Sequence, residues 1–166
     1  MKQATSLKTL ALVTLTAAAT TFLMQACGGS AEAQAIAPDA NVIEGAWEST
    51  VTNKDCTSGA VLRTFTGESL FHRGGTLTAD NSMPVSTRGL GIGVWTQDAT
   101  NAYTAKFHFL RFNADGTVAG SQNVVRTIAL AADGKSLTST LAAQVLDPTG
   151  TVVQAICGSE VGKRLY

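Results

Sequence analysis

From Gly45 onward the dominant repeat of apolar residues is two, and the interruptions carry turn chemistry, which restricts the fold to antiparallel β-structure. Arg73-Gly74-Gly75-Thr76, Asn113-Ala114-Asp115-Gly116-Thr117, Asp133-Gly134-Lys135 and Pro148-Thr149-Gly150-Thr151 place glycine where a tight turn can require positive φ. The runs around them, rich in Val, Thr, Ile and aromatic residues, predict strands over residues 45–53, 61–73, 76–81, 91–98, 101–113, 117–131, 135–146 and 151–165, in meander order and without a helix. Some ~120 residues suffice for one modest core and are too few for two ordinary domains. Eight such strands either close into an up-and-down barrel or split into a sandwich.

What precedes residue 45 reads as transport and tether. Lys2 and Lys8 supply positive charge, and Thr9 to Leu23 is uncharged and rich in Leu, Val, Ala and Thr, so residues 1–26 form an expected signal peptide. The apolar run is short for a membrane-spanning helix, which needs roughly 20 residues. Met24-Gln25-Ala26-Cys27 resembles a bacterial lipobox, making Cys27 the expected lipidation site. Ala33-Gln34-Ala35 offers the competing small-x-small cleavage, which releases a soluble product. Residues 27–44, containing Pro38, read as a flexible linker, and 45–166 as the β-barrel domain.

Either processing route places the protein in the cell envelope: a membrane-anchored lipoprotein, or a periplasmic or secreted protein. The only membrane contact expected is through a lipid anchor. Without the leader, ten basic residues face twelve acidic ones, a balance that argues against nucleic acid as a partner because phosphate binding needs clustered Lys and Arg. Of the three cysteines, Cys56 and Cys157 remain for a disulfide, the expected state in an exported chain.

Gly45-Ala46-Trp47 at the start of the first strand and Arg164 near the end of the last resemble the lipocalin pattern. There a Gly-x-Trp opens the barrel and an arginine packs across the indole to close one end, an attraction of a guanidinium for a π face. Phe71-His72-Arg73-Gly74-Gly75-Thr76-Leu77, Gly93-Val94-Trp95, Arg111-Phe112-Asn113-Ala114-Asp115-Gly116 and Val161-Gly162-Lys163-Arg164 also resemble uncharacterised bacterial exported proteins of lipocalin-like type. The resemblance implies an all-β, eight-stranded antiparallel barrel with Trp47 and Arg164 as its closure, here without a C-terminal helix. Placing Trp47 opposite Arg164, and Cys56 opposite Cys157, requires registers of the first and last strands that differ by only two residues. That near-agreement favours the barrel over the sandwich.

Catalytic signatures are absent from the sequence. Gly67-Glu68-Ser69 continues into Leu70-Phe71 rather than a nucleophile elbow, His72 and His108 are too few for a three-histidine zinc site, and no glycine-rich loop leads from a strand into a helix. No metal or cofactor is expected. Parity then suggests the lumen: Trp47, Ser49 and Val51 point inward on the first strand, and Tyr103, Ala105, Phe107, Phe109 and Arg111 on the fifth. On the sixth, Gln122, Val124, Arg126, Ile128 and Leu130 share an apolar face containing one charge. Arg126 must pair, with Glu160 or with the carboxylate of a bound lipid, because an unpaired buried charge is very costly.

The expectation is a barrel holding a small hydrophobic or amphipathic ligand against Trp95, Tyr103, Phe107, Phe109 and Arg126. The alternatives are a structural or interaction protein with a filled barrel and, third, a cyclase-type barrel enzyme working by positioning.

Overall fold

The computed structural model describes residues 42–166; the signal peptide, Cys27 and the linker up to residue 41 lie outside the described residues. Eight strands follow one another as β1 (Gly45–Asp55), β2 (Val61–Phe71), β3 (Thr76–Asn81), β4 (Gly91–Ala99), β5 (Ala102–Phe112), β6 (Val118–Leu130), β7 (Ser136–Leu146) and β8 (Val152–Arg164). Every neighbour pair is antiparallel, and β8 returns to β1, closing the barrel and leaving no free edge among the described strands. The only helical element described is a single 3-10 turn, Val85–Thr87, between β3 and β4.

Closure rests on the register between the first and last strands. Trp47 pairs with Arg164, and the same register continues through Lys54 opposite Cys157 to Asp55 opposite Ile156. Against β2, β1 shifts register between Asn53 and Lys54, yet it stays in step with β8 to its end. Cys56, one residue past the strand, therefore lies diagonally from Cys157, and the two form a disulfide with a Cα–Cα distance of 4.9 Å. By parity this bridge lies on the outer side of the seam that Trp47 and Arg164 close from within.

The two ends of the barrel differ. At one end Trp47 is fully buried and donates its indole N–H to the Ile43 carbonyl at 2.8 Å. The Arg164 guanidinium sits 4.6 Å over the Trp47 ring, and its N–H groups reach the carbonyls of Val42, Glu44 and Gly134. Residues 42–44, the last three of the expected linker, are thus fastened across this end, with Ile43 fully buried. Gly45 has φ of +123°, and a Cβ there would crowd the Arg164 guanidinium, so the glycine of this Gly-x-Trp has a steric cause. Gly93 of the second Gly-x-Trp has a different one: a Cβ would overlap the Lys106 carbonyl and the Phe107 backbone of β5.

At the other end, three of the four loops are held by aspartates at turn starts. Asp55 accepts from the Thr57 and Ser58 amides, Asp115 from Thr117, and Asp147 from the Thr149 and Thr151 amides. Hydrogen bonds from Ser58 and Thr57 lower the Asp55 pKa, those from Thr117 lower that of Asp115, and those chiefly from Thr149 and Thr151 lower that of Asp147. With folded values depressed, their contribution is complete above the ordinary carboxylate range and is lost as pH falls through the lower folded values.

Candidate functional site

Period two decides which side chains enter the lumen, and the observed faces follow it. Trp47, Ser49 and Val51 on β1 are buried, as are Tyr103, Ala105 and Phe109 on β5 and Val124, Arg126, Ile128 and Leu130 on β6. Along the barrel these residues sort into layers. A lower core around Trp47, Phe71, Tyr103, Ile128 and Leu137 fills the closed end. An upper cluster of Phe109, Val124, Ala143, Val145 and Ile156 lines the open half.

Between the two lies a polar tier. On β6, Arg126 separates Val124 from Ile128; on β7, Ser139 separates Ala143 from Leu137; on β2, Ser69 precedes Phe71; and on β8, Glu160 lies between Ile156 and Arg164. Arg126 Nη2 approaches Glu160 Oε2 to 2.7 Å, with side chains only 4% and 3% exposed, so this is a desolvated ion pair. Ser139 donates to the same carboxylate oxygen at 2.6 Å, and Arg126 Nη1 donates to Ser69 Oγ at 3.0 Å. Arg126 Nε is buried without a hydrogen-bond acceptor among the described residues. Burial pushes the Arg126 pKa down, and the neighbouring Glu160 charge opposes that shift.

Above this tier the barrel encloses a cavity of about 380 Å³, within the ~300–1,000 Å³ typical of small-molecule sites. Ser69, Arg126 and Glu160 form its floor, and Phe107, Phe109, Val124 and Ile156 are among its apolar walls. Of the five residues expected to hold a ligand, Phe107, Phe109 and Arg126 line this space. Trp95 and Tyr103 sit below the floor: Tyr103 is fully buried in the lower core, and Trp95 packs edge-on against Phe71 and Tyr103 while donating to the His72 carbonyl. Parity assigns a side chain to a face but says nothing of its height, and these two fall on the closed side.

The mouth also holds charge that strand reading misses. Arg88 comes from the loop segment after the 3-10 turn, has no periodic signature, and is buried. Its guanidinium lies 4.2 Å over the Phe109 ring and 3.2 Å from Asp80 Oδ1, and Nη2 reaches the Ala79 carbonyl. Desolvation lowers its pKa against the opposing pull of Asp80. Arg63 on β2 and Arg111 on β5 line the same cavity near its opening, and neither has an ion-pair partner among the described residues. The only available signal was the inward parity of Arg111.

The described residues contain no cluster of three or more His, Cys, Asp or Glu able to hold a metal. Comparison with family models, with curated proteins and with solved structures finds no match to this chain.

Proposed function

We propose that this protein is an exported cell-envelope barrel of lipocalin-like type, tethered through Cys27, that binds one small amphipathic ligand in the open half of its lumen. The observation that carries the reading is the cavity itself: a space of about 380 Å³, walled by aromatic and aliphatic side chains and ending on the buried Arg126–Glu160 pair. An apolar wall with a few fixed polar groups is the usual composition of a binding pocket. The tether and the envelope location are supported by the leader and the lipobox-like run before Cys27.

The test is displacement of an environment-sensitive fluorescent fatty acid by unlabelled amphiphiles, with stoichiometry read by native mass spectrometry. One ligand per chain is expected. Ala143 is buried on the cavity wall, so Ala143→Phe fills the space from a side that has room for it. This variant is expected to fold, to cost about 1–3 kcal/mol at most, and to weaken probe binding by at least about tenfold, a loss of about 1.4 kcal/mol. Unchanged binding in Ala143→Phe, or no binding by the parent protein, contradicts the proposal.

A further inference from the structure

The floor of the cavity is sealed, and its rim is not. Arg126 and Glu160 are 4% and 3% exposed and paired at 2.7 Å, and Arg126 Nη1 donates to Ser69, so this layer presents no open charge to the lumen. Toward the opening, the inward side chains that line the cavity on six strands are Asn53, Arg63, Asn81, Arg111, Gln122 and Gln154. Two cations and four neutral amides face the mouth, with no carboxylate among them. Arg63 meets only the Met83 sulfur, at 3.9 Å, and Arg111 has no ion-pair partner among the described residues. The acids nearby are engaged or turned away: Asp80 holds Arg88 at 3.2 Å, and Glu68, next to the inward Ser69, faces outward by parity. Asp55, Asp115 and Asp147 are bound into their own turns, and none of the three lines the cavity.

Register sets the depth between rim and floor. Arg63 lies six residues before Ser69, which accepts from Arg126, and Arg111 lies six residues after Ala105, which pairs with Arg126. Six residues of strand span about 20 Å, and a strand tilt of about 40° reduces that to about 15 Å along the barrel axis. A space of about 380 Å³ drawn out over that depth is a channel suited to one extended chain.

Resting on the proposed binding function, we infer that the ligand is a single-chain carboxylic acid held head outward. Its carboxylate sits at the mouth between Arg63 and Arg111, whose guanidinium forks match carboxylate oxygens. Its hydrocarbon tail runs inward along Phe107, Phe109, Val124 and Ile156 and stops at the Arg126–Glu160 layer. The floor thus limits chain length, because methylenes beyond the channel's depth stay in water.

The experiment displaces the fluorescent probe with octanoate, dodecanoate, hexadecanoate, dodecanol and dodecyltrimethylammonium, at low and at high salt. Dodecanoate is expected to compete at about tenfold lower concentration than dodecanol or the ammonium at low salt, an advantage that shrinks at high salt. Each methylene buried is worth about fourfold in affinity, so dodecanoate is expected to outcompete octanoate strongly. Hexadecanoate is expected to match dodecanoate, whereas a deeper channel would give it an advantage of about a hundredfold or more. Joint replacement Arg63→Gln and Arg111→Gln, at positions outside the core, is expected to remove the preference for dodecanoate over dodecanol, a ratio independent of the probe's own affinity. Unchanged dodecanol binding shows that the barrel of this variant is intact. Equal competition by dodecanoate and dodecanol, an unchanged ratio in the double variant, octanoate as effective as dodecanoate, or a hundredfold gain by hexadecanoate overturns this inference while the binding function stands. Failure of the probe and of every competitor overturns both.

Discussion

Glu160→Gln is expected to destabilise the barrel by about 3–5 kcal/mol, the cost of leaving a buried charge without its counter-charge. Arg126 is 4% exposed, donates to Ser69, and is paired with Glu160 at 2.7 Å. The neutral amide removes the charge that offsets Arg126 desolvation and weakens the acceptor used by Ser139. The double variant Arg126→Met, Glu160→Met is expected to recover most of the loss, since hydrophobic side chains of similar volume commonly replace a buried pair at little or no cost. Urea unfolding of both single variants and of the double completes the cycle, and a coupling energy well above 1 kcal/mol is expected for groups in direct contact. A loss below about 1 kcal/mol for Glu160→Gln would mean that water reaches the pair.

Removing the disulfide, by Cys56→Ala with Cys157→Ala, is expected to cost about 2–5 kcal/mol. The cysteines are 101 residues apart in sequence, and for a loop of about 100 residues the chain-entropy model gives about 4.7 kcal/mol, an upper figure because residual structure in the unfolded chain reduces it. The effect is expected as a lower urea midpoint for the double variant and for the parent protein under reducing conditions. Because the bridge spans the β1–β8 seam, hydrogen exchange at Asn53 to Asp55 and at Ile156 to Gly158 is expected to rise more than at β5–β6, the pair farther round the barrel. A midpoint insensitive to reduction would contradict the seam role.

The barrel was legible in the sequence because period two and turn chemistry are local signals. Predicted and observed strands agree to within about two residues at their ends, the uncertainty inherent in assigning such boundaries. The β1–β8 pairing was legible for a different reason: the indole with its arginine and the two cysteines are long-range markers that fix nearly the same register. Glu160 was named among the possible partners of Arg126, and the structure brings the two together. The height of each inward residue was not legible. Trp95 and Tyr103 share inward faces with cavity residues yet belong to the closed end, because the level at which a side chain sits depends on strand tilt and on which end Trp47 plugs. Nor was Arg88, whose position depends on an irregular segment folding back over Phe109.

The central claim is that the open half of the lumen, and no other surface, takes the ligand. Intermolecular nuclear Overhauser effects from a protonated amphiphile to the isotope-labelled protein test it most directly. The account predicts contacts to Phe109, Val124 and Ile156, with none to Tyr103 or Trp47 beneath the floor. Contacts to the exposed Ile92 and Val94 on the outer face instead, or none to the lumen at saturating ligand, would contradict it.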